Sequence, residues 1–194
     1  MKIGIFGGSF NPIHIGHALI ANYITQYTDI DQVWLMVSPR NPLKNKCCDV
    51  SDEARIRMVE MVASKCTGVI TSGFEFTLPK PSYTINTLDS LSAKFPEHEF
   101  SLIIGSDNWA VFDKWRDYSR IIQDYGVIIY PRKGYLSGLT GIEGNVRMIN
   151  APVIEVSSTF IREGLKENRN MNFFLPEDVY EFIKSHYLYK QDNH

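Results

Sequence analysis

The residues best suited to chemistry lie near the amino terminus, where an apolar run gives way to Gly7-Gly8-Ser9-Phe10-Asn11-Pro12-Ile13-His14-Ile15-Gly16-His17. Glycine carries no Cβ, so this backbone can come close to a ligand, and a helix opening nearby offers unpaired amides and the positive end of its dipole. Both features suit an oligophosphate. His14 and His17 stand three positions apart and project on the same side of a first helical turn. Two imidazoles so placed can donate hydrogen bonds to phosphate oxygens and stabilise the charge that grows as pyrophosphate departs, a task in electrostatics and not in nucleophilic attack. Either histidine alone reads as a surface or capping residue; the whole string reads as a ligand site. The usual phosphate motifs are missing: there is no G-x-x-x-x-G-K-[ST], and Gly4, Gly7 and Gly8 do not form G-x-G-x-x-G.

Late in the chain, Val156-Ser157-Ser158-Thr159-Phe160-Ile161-Arg162 opens an amphipathic stretch with hydroxyls in capping positions. A guanidinium in the first turns of a helix opposes the dipole, so a bound anion is one compensation. The alternative is that Ser157 caps and Arg162 pairs with Glu155 or Glu163. In the middle, Pro81-Ser82-Tyr83-Thr84 precedes a helix, and Gly105-Ser106-Asp107-Asn108-Trp109, with Trp115 beyond it, follows a strand. An aromatic face can stack on a flat cationic ring, and hydroxyls or amides at a helix start can accept a carboxylate. Equally, Trp115 could be core and Ser82-Tyr83-Thr84 a plain helix start.

The amino-terminal string resembles the G-x-F-x-P-x-H-x-G-H motif of the HxGH-type nucleotidyltransferases, and the late string resembles their I-S-S-T-x-I-R motif, with Val156 in place of isoleucine. Ser82-Tyr83-Thr84 with Thr87-Leu88, and Gly105-x-Asp107 followed by Lys114-Trp115, are similar to segments of bacterial nicotinate mononucleotide adenylyltransferases. The resemblance implies a Rossmann-like α/β fold and transfer of AMP from ATP to nicotinate mononucleotide, giving nicotinate adenine dinucleotide and pyrophosphate in NAD biosynthesis. It implies that His14, His17, Lys44 and Arg162 carry the catalysis. Gly8, Ser9, Phe10, Gly105, Asp107, Ser157, Ser158 and Thr159 would join His14, His17 and Arg162 around ATP. Asn11, Lys44, Tyr83, Thr84, Asp107, Trp115 and Arg132 would hold the acceptor. Magnesium would accompany the triphosphate through its phosphate oxygens, with no protein metal ligands.

Two segments depart from the family pattern. Asn41-Pro42-Leu43-Lys44 stands where Pro-Pro-His-Lys is usual, and Tyr130-Pro131-Arg132-Lys133-Gly134-Tyr135 only approximates Arg-Pro-Gly-Tyr. The rival readings are an adenylyltransferase for nicotinamide mononucleotide or phosphopantetheine and a non-catalytic nucleotide sensor of the same fold. Phosphopantetheine chemistry would favour threonine at position 14.

These residues need elements to position them. Short β-rich runs at 2–6, 32–37, 68–70, 99–104 and 126–130 alternate with helical patterns up to residue 27 and at 51–66, 85–95, 115–124, 157–167 and 177–187. That alternation predicts a mostly parallel sheet with helices on both faces. Ser51, followed by Asp52 and Glu53, reads as a helix start, as does Pro176-Glu177-Asp178; the glycine-rich residues 132–145 read as a loop.

At 194 residues with 44% hydrophobic content, a single domain over 1–194 is expected. Lys and Arg number 20 against 22 Asp and Glu, which argues against a nucleic-acid-binding surface. No apolar run reaches membrane-spanning length, and none marks a signal peptide, so a cytoplasmic location follows. Cys47, Cys48 and Cys66 have neither zinc nor redox spacing. Homo-oligomerisation stays open.

Overall fold

The structure, a computed structural model, describes residues 1–39, 50–135 and 144–189. Lys44, Leu43, Cys47 and Cys48 therefore lie outside the described residues. Strands β1 (Lys2–Gly8), β2 (Gln32–Val37), β3 (Val69–Ser72), β4 (Glu99–Gly105), β5 (Val127–Tyr130) and β6 (Val146–Met148) form one sheet in the order β3-β2-β1-β4-β5-β6. Every pairing is parallel, with Ile5 opposite Trp34 on one side and Leu102 on the other. The chain winds outward from β1 through β2 to β3, then returns to β4 beside β1 and winds the other way. The carboxyl ends of β1 and β4 thus flank the switch point, where open parallel sheets hold ligands.

Helices cover both faces. α1 (Ile15–Tyr27), α2 (Asp52–Ala63), α6 (Ser158–Lys166) and α7 (Glu177–Ser185) contribute Ile24, Met58, Ile161 and Val179 to a core that also takes Phe6, Leu35 and Ile103. On the opposite face α3 (Thr84–Lys94) and α5 (Tyr118–Asp124) bring Leu88, Leu91 and Ile121 onto Ile3, Ile5, Leu102 and Ile104. Alternation along β4 explains the division: Leu102 and Ile104 face one layer and Ile103 the other. Each such side chain, fully buried, contributes about 2 kcal/mol to folding.

The expected helix starts hold at two places. Ser51 caps α2 by accepting from the amide of Ala54 at 3.2 Å, and α7 opens on Glu177 and Asp178 behind Pro176. One expectation needs correction, and one strand was not foreseen. The helix expected from residue 115 begins at Tyr118, because Asp117 takes a left-handed φ of 53° just before it. Trp115 is consequently a turn residue. The loop expected over 132–145 is followed by β6, an edge strand whose Arg147 and Met148 are exposed, so it lacks an apolar pattern. Gly105 leads from β4 directly into the short helix α4 (Ser106–Trp109).

Candidate active site

His14 and His17 cap the helix that follows them. His14 is the N-cap of α1, and its Nδ1 accepts from the amide of Gly16 at 3.2 Å; the Nδ1 of His17 accepts from the amide of His14 at 3.3 Å. This is a reciprocal capping box made from two imidazoles. Because each Nδ1 acts as acceptor, the proton of each neutral ring sits on Nε2, which is free to donate elsewhere. The rings are 3.8 Å apart between centroids. A Cβ at Gly16 would stand 3.0 Å from the His14 ring, so glycine is required for the close approach.

Burial and the nearby Arg132 guanidinium lower the His14 pKa to about 4, and burial together with His14 pushes His17 well below its ordinary value. Both rings are neutral in the free protein. Phe10, expected around ATP, is instead a core side chain with 1% exposure; it packs edge-on against His17 at 5.0 Å, leaving only its backbone to face a ligand. Its φ of 42° marks a strained turn.

Side chains from distant elements hold that turn. Arg55 of α2, buried in the core, donates from Nη1 to the carbonyls of Ser9 (2.5 Å) and Ser38 (2.9 Å) and from Nη2 to Asp52 (2.6 Å). Arg162 donates to the carbonyl of Asn11 at 2.7 Å, Ser158 Oγ to that of Pro12 at 2.9 Å, and the Tyr189 hydroxyl to Asn11 Oδ1 at 2.6 Å. Ser157 caps α6 as expected, accepting from the amide of Phe160 at 3.1 Å. The alternative pairing of Arg162 with Glu155 or Glu163 does not occur: Glu155 binds Lys133 at 2.9 Å, and the second Arg162 nitrogen meets Thr159 Oγ1 at 3.2 Å. Arg162 thus reaches the turn that carries His14, partly committed to a carbonyl.

Three adjoining hollows open at the carboxyl ends of the strands. One of about 170 Å³ brings Gly8, Thr84, Gly105 and Trp115 together, with Asn108 between. The second holds His14, His17 and Arg132, and the third Asp107, Arg132 and Ser157. Tyr130 borders the first two and Arg132 the last two, so the hollows lie side by side along one end of the sheet. Asp107 Oδ1 and Arg132 Nε face each other at 3.9 Å, both buried and without hydrogen-bond partners. A Cβ at Gly105 would run into the Asp107 carboxylate. Tyr83 stays exposed under the Arg116 guanidinium at 4.7 Å and contributes its backbone to the start of α3.

Sequence reasoning missed Arg55, Ser38 and Glu75, whose only local signal is polarity inside otherwise apolar patterns, and it named Thr87 only as part of a resembling segment. A larger hollow of about 660 Å³ opens at the opposite, amino-terminal ends of the strands, beside Lys2, Glu99 and Arg147, and contains none of the candidate residues.

A switch-point cleft with a histidine-capped glycine turn fits a Rossmann-like nucleotidyltransferase, and residues 5–164 match the cytidylyltransferase-like family. Among relatives, the probable nicotinate-nucleotide adenylyltransferase of Bacteroides thetaiotaomicron is 46% identical over 96% of this chain and 92% of its own, and that of Flavobacterium johnsoniae 42% identical over 98% and 100%. The nicotinic acid mononucleotide adenylyltransferase of Plasmodium falciparum, solved in complex with NaAD, shares the fold, with a TM-score of 0.79 at 18% identity over 97% of each chain. The chain belongs to the nicotinate-nucleotide adenylyltransferase family within that class.

Proposed function

We propose that this enzyme transfers AMP from ATP to nicotinate mononucleotide, releasing pyrophosphate and forming nicotinate adenine dinucleotide. The observation that carries the reading is the reciprocal capping of His14 and His17, which leaves Nε2 as the donor of each ring beside a hollow that shares Phe6 and Tyr130 with the ring-sized pocket lined by Trp115. The relatives' names agree with it.

In this reading the acceptor phosphate oxygen forms a bond to the α-phosphorus while the bond to the β-bridging oxygen breaks, with pyrophosphate taking the electron pair. The nucleophile is already anionic, so the protein's tasks are alignment and charge neutralisation. His14 and His17 donate to the departing phosphates, with Lys44, Arg162 and the hydroxyls of Ser158 and Thr159 beside them. Asp107 takes a ribose hydroxyl, the amides at Tyr83 and Thr84 take the nicotinate carboxylate, and Trp115 stacks on the ring. Magnesium, carried by the triphosphate, would neutralise charge on its phosphate oxygens. A cytoplasmic site of action is proposed with it; no helix among the described residues is long and apolar enough to cross a membrane.

The test is pyrophosphate release from ATP and magnesium with nicotinate mononucleotide, nicotinamide mononucleotide or phosphopantetheine in turn. A kcat/KM at least about a hundredfold higher for the acid than for the amide is expected, the scale of discrimination when a site built to pair a polar group meets a ligand lacking its match. Preference for the amide or for phosphopantetheine would overturn the acceptor assignment, and no release with any acceptor would favour a nucleotide sensor.

A further inference from the structure

The ring pocket contains a charge that the proposed mechanism does not use. Among the described residues lining it, Glu75 has the only charged side chain; its neighbours there are apolar groups, hydroxyls, glycine backbone and the Asn108 amide. Glu75 comes from a short 3₁₀ turn, Phe74–Thr77, that follows β3. The buried hydroxyl of Thr87 donates to its Oε1 at 3.1 Å, and the Ser38 hydroxyl also bonds to the carboxyl. No described cation stands among these partners. A carboxylate offers about four acceptor positions, so two hydroxyls leave it under-satisfied.

We propose that Glu75 is a specificity-determining residue that supplies the counter-charge for an N-alkylated, cationic pyridinium ring and so selects it over a neutral ring of the same shape. The inference rests on the acceptor assigned above and extends it to the charge of the ring. A cation leaving water for a small pocket requires compensation, and an aromatic face supplies only part of it. Trp115 lines the same pocket as Glu75, so quadrupole and full charge converge on one volume. Burial raises the Glu75 carboxyl above its ordinary value against the pull of the Ser38 and Thr87 hydroxyls, so a cation beside it would offset the cost of holding it charged. The acceptor brings one in its ring nitrogen.

The test compares nicotinate mononucleotide with 3-carboxyphenyl C-riboside 5′-phosphate, which keeps the carboxylate, ribose and phosphate but has an uncharged ring. Steady-state KM and kcat with ATP and magnesium are measured for the wild type and for Glu75→Gln, whose amide oxygen can still accept from Thr87. The wild type should favour the pyridinium acceptor, and the variant should raise its KM about tenfold, the effect of losing one close charge pair. The neutral-ring KM, the ATP KM and kcat should stay near wild type. Equal rises for both acceptors would reduce Glu75 to a structural tie to Thr87; no change, or tighter binding of the acid, would also overturn the proposal. If Glu75→Gln lowers the thermal midpoint, Glu75→Asp keeps the charge one methylene farther away and should give an intermediate, ring-selective loss; an equal loss for both rings would count against selection. Wild-type enzyme that does not turn over nicotinate mononucleotide at all would instead refute the acceptor assignment, a failure separable from loss of ring selectivity.

Discussion

Imidazole is an unusual capping group, and its use at both ends of one box has a chemical consequence. A hydroxyl and carboxylate would satisfy the same amides but leave no donor aimed outward. Neutral histidine accepts at Nδ1 and donates at Nε2, so the bonds that start α1 also fix the tautomer that would meet phosphate in the proposed reaction. Keeping both rings uncharged until a polyanion arrives avoids placing two like charges 3.8 Å apart in the empty site. His17→Ala removes one donor and frees the His14 amide from its side-chain partner. Turnover should fall about a hundredfold or more, the cost of deleting one preorganised charge-stabilising donor. The capping loss should cost about 1 kcal/mol of stability. Stopped-time pyrophosphate assays beside urea titrations separate the two effects, and near-normal turnover in a folded variant would remove His17 from the mechanism.

At the scale of elements, the turn through Ser9, Asn11 and Pro12 has no ladder of its own, so α2, α6 and Tyr189 hold it through its carbonyls and the Asn11 side chain. Arg55 is the most buried of these clamps, and it ties the carbonyl end of β1 to that of β2. Arg55→Ala would leave Asp52 and two carbonyls without their fork, at about 3 kcal/mol or more. Arg55→Lys, which can reach fewer of them, should cost less stability yet still raise the KM for ATP. Equal KM values in a folded Lys variant would show that the clamp serves stability alone. These contacts also mark the boundary of what was legible from residues in order. The capping turns and the parallel alternation were readable because helix starts and strand periodicity depend on neighbours a few positions apart. Arg55 reaches across 46 positions and Tyr189 across 178, so no local pattern announces them. Glu75 escaped notice for the same reason: only the packing of Phe74–Thr77 beside α3 turns it into the pocket. Trp115 was expected to be helical and is not, because the left-handed Asp117 that delays α5 has no strong signature of its own.

At the scale of the molecule, the cleft makes folding stability depend on pH through its histidines. The His14 pKa is about 4 in the folded protein against an ordinary 6.5, so the unfolded chain binds the proton more readily. Stability from this group is therefore fully present above about pH 6.5 and is lost as pH falls toward 4, by about 3 kcal/mol for a shift of this size. His17, lowered in the same direction, steepens the slope over that window. Urea unfolding between pH 7 and 5, above the range where ordinary carboxylates dominate, should show stability falling with pH. His14→Asn keeps a good N-cap acceptor but no titrating ring, and should flatten the slope. Pyrophosphate should flatten it as well, because an anion against the rings raises their pKa values toward those of the unfolded chain. Ligand binding would then take up protons between pH 5 and 7, visible in calorimetry as an enthalpy that depends on the ionisation heat of the buffer. A slope that neither His14→Asn nor pyrophosphate alters would place the acid sensitivity elsewhere and separate it from the phosphate site.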